Sequence, residues 1–342
     1  MKHVFGISSH LGFYLCQRLI EQDSLKADEC LFFTLCGYTL PAVFTDKYPT
    51  LVTTYNTSPT QGRIFAGWRL KRTKENISKV DQLLSQKIGT EDFIWYTQNC
   101  SNDICSVFVT NKQCKGYYVI EDGSGSYLTE NPPIFRGWRS LIYRYILKPF
   151  FPRIYSLKNH FVEIEHPKFK GCIASNENCF PLYKSYLRVV GMPFHPEPLK
   201  TPPDALISID PLFRWGVSDE HAQQIILQLA EFVNAQKYRH IAYKHHPALL
   251  SPLQSERYKK YNLWIRQYIK GDIEELQAQV SLENTLMAHP LADFYTAVST
   301  TVIYAHAMGV KCYSYCPLIR VYVAKEVPLI ENLCILINPQ KI

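Results

Sequence analysis

Apolar positions along this chain come in two kinds of run, and their alternation predicts layered α/β architecture. Short runs rich in Val, Ile, Phe and Tyr read as strands at 4–7, 30–35, 51–54, 93–96, 107–109 and 117–120. Helical spacing fits 12–21 and 76–87. The first apolar stretch is interrupted by His10, Gln17 and Arg18, so it reads as a strand entering a helix rather than as a signal peptide. No run of about 18 apolar residues occurs, so no spanning helix is expected.

The alternation begins afresh after residue 204. Strands are expected at 205–209, 240–243, 292–298 and 312–315, with a small-residue helix over 302–308. Ser218 is placed to cap a helix reaching about Gln236, and Asp219 and Glu220 in its first turn suit the helix dipole. Between the two halves, Met192 to Pro203 holds five prolines, the composition of an interdomain linker. The expected organisation is therefore a domain over 1–190, a linker over 191–204 and a second domain over 205–342. The expected fold is two Rossmann-like α/β domains facing a central cleft, where ligands meet the loops after the carboxyl ends of the strands.

Composition narrows the classes. A chain of 342 residues with 46% hydrophobic and 20% charged residues is globular and long enough for two cores. The net charge of +7 suits an anionic small molecule or an acidic membrane surface, and is modest for a nucleic-acid binder. The 11 cysteines lack framework or C-x-x-C spacing, so buried free thiols and a reducing compartment are expected rather than disulfides or a metal site.

Three polar clusters fall at expected strand ends. The strand at 117–120 runs into Glu121-Asp122-Gly123-Ser124-Gly125-Ser126. One carboxylate there can face a substrate and take a proton from a hydroxyl, although Asp-Gly is also a common surface turn. The strand at 240–243 leads into Lys244-His245-His246-Pro247. Pro247 restrains His246, whose imidazole can protonate or stabilise a departing phosphate, with Lys244 adding positive potential; a capping or core histidine is the plainer alternative. Ser299-Thr300-Thr301 precedes the small-residue helix, where hydroxyls and free N–H groups bind phosphate or simply cap. His289-Pro290 lies before its strand and reads as structural. Asp210 ends the first strand of the second domain, where a structural bond is the plainer reading.

Taken together, an acidic-acidic-Gly motif followed by His-Pro and Ser/Thr motifs resembles the bacterial sialyltransferase group of GT-B fold, which includes lipooligosaccharide sialyltransferases and capsule polysialyltransferases. The resemblance implies inverting transfer from CMP-sialic acid, or a related nonulosonate, to a hydroxyl of a glycan or glycolipid acceptor. It makes Glu121, or less favoured Asp122, the general base and His246 the general acid. Gly123, Ser124, Lys244, Pro247, Ser299, Thr300 and Thr301 would bind substrate. It implies no cofactor and no metal, and no Asp-x-Asp motif occurs. A CMP-Kdo or other capsule-assembly glycosyltransferase shares this architecture.

From Asn131 to Val162 no acidic residue occurs, while Arg136, Arg139, Arg144, Lys148, Arg153 and Lys158 alternate with aromatics. This fits peripheral binding to the anionic inner face of the cytoplasmic membrane, at about 1 kcal/mol per cation. A solvated basic face or a groove for a polyanionic acceptor fits the same pattern. A non-enzymatic basic protein is the remaining reading; no nucleic-acid motif supports nucleic acid as its partner.

Overall fold

The computed structural model describes residues 1–35, 40, 42–52, 67–98, 100, 103–127, 145–154, 157, 162–250, 252–323 and 334–337. The chain divides into two compact units, Met1–Pro193 and Phe194–Ile342.

The first unit carries β1 (Lys2–Ile7), α1 (His10–Gln22), β2 (Cys30–Thr34), α2 (Ala42–Thr45), β3 (Thr50–Val52), α3 (Gly67–Ile88), β4 (Phe93–Thr97), α4 (Asp103–Val109), β5 (Cys114–Ile120), β6 (Phe169–Ala174) and β7 (Leu187–Val189). Its seven strands are parallel and ordered β3-β2-β1-β4-β5-β6-β7. β2 and β4 are buried along their whole length because helices cover both faces, which is why they read as unbroken apolar runs. Ser9 caps α1 by accepting from the Gly12 N–H at 3.2 Å. One core gathers Val4, Phe33, Trp95, Phe108 and Tyr117, with Trp95 stacked on Phe108 at 3.8 Å between ring centroids.

The run Val107–Val109, expected as a strand, is instead the end of helix α4. Ile104, Cys105, Val107, Phe108 and Val109 are all buried, so this helix is apolar all round and shows no helical period.

The second unit carries β8 (Ala205–Ile209), α5 (Asp219–Ala235), β9 (His240–His245), α6 (Ser255–Tyr268), β10 (Asp272–Glu275), α7 (Leu282–Ala288), β11 (Asp293–Thr296), α8 (Thr301–Ala307), β12 (Cys312–Ser314), α9 (Cys316–Arg320) and β13 (Ile335–Leu336). The strands are again parallel, ordered β10-β9-β8-β11-β12-β13. One face packs on α5, α6 and α9, and the other on α7 and α8. Ser218 caps α5 through the His221 N–H.

In both sheets the chain starts near the middle, works outward to one edge, then returns to the other side of its first strand. The crevice of such a Rossmann-like sheet therefore lies between β1 and β4 in the first unit, and between β8 and β11 in the second.

The proline-rich segment lies along the second unit. The Phe194 ring meets Tyr304 at 4.9 Å, His195 N–H donates to Asn284 Oδ1, and Leu199 N–H donates to His289 Nε2 at 3.0 Å. His289 thus holds that segment, as a structural histidine would. All ten cysteines among the described residues are free thiols and nine are buried, so they act as small core residues. No helix among the described residues is long and apolar enough to cross a membrane.

Candidate active site

In the first unit the acidic pair stands where β5 ends, between the ends of β4 and β6. Gly123 has φ +60°, a left-handed turn that a side chain would oppose, so the chain folds back directly after Asp122. Successive side chains on extended backbone point to opposite sides, and the two carboxylates part accordingly.

Glu121 is 0% exposed. Its Oε2 accepts from the Ser175 N–H at 2.8 Å and the Ser175 hydroxyl at 2.7 Å, and its Oε1 accepts from the Tyr127 hydroxyl at 2.7 Å. Burial, reinforced by the Glu121 charge, pushes the Tyr127 phenol well up, so Tyr127 stays a donor. Asn176 Nδ2 donates to the Tyr127 oxygen at 2.7 Å and completes the cluster. Glu121 therefore ties the end of β5 to the end of β6.

Asp122 is half-buried and presents the other side of the turn. Its N–H donates to Ser126 Oγ at 2.7 Å, and its Oδ1 accepts from Gln98 Nε2 at 3.1 Å. Gln98 follows β4; its Oε1 accepts from the Ser8 N–H at 2.7 Å and the Ser8 hydroxyl at 2.6 Å, while Nε2 also donates to Ser9 Oγ at 2.7 Å. A backbone N–H can only donate, so the amide orientation is fixed and its NH2 must face Asp122. Gly12 allows α1 this close, since a Cβ there would stand 2.5 Å from the Gln98 amide carbon. On this geometry Asp122 is the better-placed candidate base. Glu121 has no exposed surface and holds three donors, whereas Asp122 keeps some exposed surface and is aimed by Gln98.

In the second unit, His246 directly follows β9. Its N–H donates to the Ile209 carbonyl at 2.9 Å, extending the ladder with β8 by one residue. Its Nδ1 accepts from the Ala248 N–H at 3.1 Å, so the neutral ring carries its proton on Nε2. Burial first, then the charges of Arg214 and Lys244, push the imidazole down to about 4. At neutral pH His246 is therefore a neutral Nε2–H donor at a strand end. Pro247 opens the short helical turn that follows, Pro247–Leu250.

Lys244 lies near enough for its charge to act on His246, but its amine is engaged elsewhere. It is buried, donates to the Val280 carbonyl, and is held below the usual lysine range by burial, with Glu283 opposing. On the α7 face of the sheet it secures the loop before α7. The bond to Val280 gives Lys244 a structural role in the second unit.

Past β11, Ser299 Oγ donates to Thr301 Oγ1 at 2.9 Å and accepts from the Thr301 N–H at 3.2 Å. Thr301 is buried and donates to Glu283 Oε1 at 2.6 Å, which leaves it a bracing residue. Ser299 and Thr300 are half-buried, and Thr300 makes no side-chain capping bond. Asp210, at the end of β8, is buried and accepts from the Ala297 N–H at 2.9 Å and the Tyr315 hydroxyl at 3.1 Å, with burial raising its carboxyl pKa. It pins the end of β8 to the end of β11, the structural role its position allowed. His246 and Ser299 thus flank β8, roughly 10 Å apart by strand spacing.

Each unit thus collects its polar groups at the crevice end of its own sheet. Ser8, Ser9, Gln98, Ser175 and Arg214 went unremarked in the sequence, although Ser8, Gln98 and Ser175 directly follow strands. Ser124 lies in the turn Gly123–Tyr127. Of the basic aromatic stretch, Arg136, Arg139, Arg144 and Lys158 fall outside the described residues.

No family model matches the chain, and no curated protein matches it. Among solved structures it is similar to the S. aureus MnaA–UDP co-structure, at 11% identity and TM-score 0.52 over 92% of this chain and 79% of that one. It is also similar to a putative UDP-N-acetylglucosamine 2-epimerase from Listeria monocytogenes, at 12% identity and TM-score 0.50 over 94% and 82%. Methanocaldococcus jannaschii UDP-GlcNAc 2-epimerase in complex with UDP-GlcNAc and UDP aligns at 11% identity and TM-score 0.50 over 95% and 94%. The fold is of the GT-B type, with two Rossmann-like domains.

Proposed function

We propose that this protein is an inverting glycosyltransferase that moves a sugar from a CMP-activated nonulosonate, sialic acid foremost, to a hydroxyl of a glycan or glycolipid acceptor. One observation carries the reading. His246 is held neutral with its Nε2–H directed by the Ala248 bond, on a strand end that shares the β8 crevice with Ser299 and Thr300.

In the reaction, Asp122 takes the proton of the acceptor hydroxyl while its oxygen attacks the anomeric carbon of the donor. The bond from that carbon to the phosphate oxygen breaks, and CMP leaves with the electron pair. Charge grows on the phosphate, where the His246 Nε2–H and the Ser299 and Thr300 hydroxyls stabilise it, and Arg214 adds positive potential. A neutral imidazole suits this role because it donates without deprotonating as pH passes through 7. Gln98 orients Asp122 through its Nε2–H.

The test incubates the protein with CMP-sialic acid, candidate oligosaccharide acceptors and EDTA, and follows CMP release and product mass. Acceptor-dependent CMP release at a stoichiometry of one per sugar transferred is expected. Turnover of UDP-GlcNAc with CMP-sialic acid left intact would overturn the reading. Turnover of CMP-Kdo alone would keep the chemistry and replace the donor.

A further inference from the structure

An exposed aromatic cluster of the first unit sits on a turn that is clamped from behind. Leu147 and Phe151 are buried in the first core, and Phe150 and Phe151 both return their N–H groups to the Leu147 carbonyl, at 3.0 and 2.9 Å. Arg153 grips Asp81 of α3 with both guanidinium nitrogens, and donates to the Val107 carbonyl at 2.7 Å and to Thr110 Oγ1 at 3.1 Å. Against this fixed base, Tyr145 is 84%, Ile146 44% and Phe150 61% exposed, with Lys148 and Pro149 exposed between them.

Exposed leucines scattered singly need no explanation, but an aromatic pair with an isoleucine on one braced turn is a patch. Its surroundings in sequence say what it would meet. The stretch 131–162 carries six Lys and Arg and no acidic residue; Arg153 is taken by Asp81, and the other five attract an acidic surface. A polyanionic glycan would satisfy the cations alone and leave Tyr145, Ile146 and Phe150 in water. An anionic bilayer satisfies both, because the rings enter the acyl boundary while the cations stay among the headgroups.

We infer that the turn 145–150 is a membrane-inserting wedge that docks the first unit on an anionic lipid bilayer. The inference is independent of the reaction proposed above and would stand with any donor. Burying one such side chain shifts partitioning roughly 10- to 100-fold, so two of the three are enough to decide binding.

The test is flotation of the full chain with vesicles of phosphatidylglycerol and phosphatidylethanolamine, against vesicles of phosphatidylcholine. The wild type is expected on the anionic vesicles only. Tyr145→Ser with Phe150→Ser is expected to weaken binding by 10-fold or more. Both side chains are exposed, so its urea midpoint is expected to stay that of the wild type, which separates lost docking from lost folding. Lys148→Gln is expected to weaken binding several-fold and to reduce its salt dependence. Equal binding by the double variant overturns the inference, and binding lost only with Lys148 points to a polyanion instead. Absence of vesicle binding, or a wild-type dimer that Phe150→Ser converts to a monomer, overturns it as well.

Discussion

Replacing each carboxylate of the acidic pair by its amide is expected to separate stability from activity. In Asp122→Asn the new amide oxygen can still accept from Gln98 Nε2, and the backbone bond to Ser126 is untouched. Stability should therefore change by less than about 1 kcal/mol, as for most partly exposed sites. The base is gone, however, and kcat should fall by ~10²–10⁴, or about 3–5 kcal/mol of barrier. In Glu121→Gln the oxygen can keep both Ser175 donors, but its NH2 then meets the Tyr127 hydroxyl, which already accepts from Asn176. The Tyr127 proton is left without an acceptor, at ~1–3 kcal/mol, and the Ser175 bonds lose their charge assistance. A loss of about 2–4 kcal/mol follows, with kcat of the folded fraction reduced far less than in Asp122→Asn. Urea unfolding and CMP-release kinetics on the two variants read both quantities. The opposite crossing refutes the reasoning: Asp122→Asn active, and Glu121→Gln stable but dead.

Because His246 is pushed down to about 4, its ring stays neutral across pH 5–8, and kcat/KM should show no break near 6.5 from this residue; a break there that vanishes in His246→Gln would contradict it. His245 is buried beside it with neither ring nitrogen hydrogen-bonded, and burial pushes it down to about 4 as well. Its folded pKa lies below the unfolded value, so the unfolded chain binds the extra proton as pH falls below about 6.5. Stability is then lost between there and about 4, by at most ~3 kcal/mol for this group. His245→Phe should flatten that slope in urea unfolding at pH 7.5 against pH 5.5. Lys244→Met removes the donor to Val280 and leaves Glu283 without its neighbouring cation, so the second unit should lose ~1–3 kcal/mol with kcat nearly kept; a collapse of kcat at wild-type stability would return Lys244 to the substrate.

Much of the architecture was legible in the sequence wherever one physical signal dominated. β1, β4, β8 and β9 announce themselves as apolar runs, and α5 as an amphipathic run behind a serine cap. β10 does not, because an edge strand of Asp, Ile, Glu and Glu has neither an apolar run nor a fully buried face. α4 was misread because a helix buried on all sides shows no period. The site was legible as three clusters after strands, but not in its inner division of labour. Adjacent residues on a strand leave in opposite directions, and only tertiary packing decides which one is buried. That is why Glu121 lies wholly buried while its neighbour Asp122 keeps some exposed surface. Gln98 had no motif at all; its role arises from β4 lying between β1 and β5, a neighbour relation set by topology.

The central claim is that the second unit holds a CMP-type donor through His246. Calorimetric titration of the full chain with CMP and with UDP tests it most directly. CMP is expected to bind at least tenfold more tightly than UDP, a difference of about 1.4 kcal/mol, and His246→Asn to weaken CMP by a similar factor. Binding of UDP with no heat from CMP, or CMP affinity unchanged in His246→Asn, would contradict the claim.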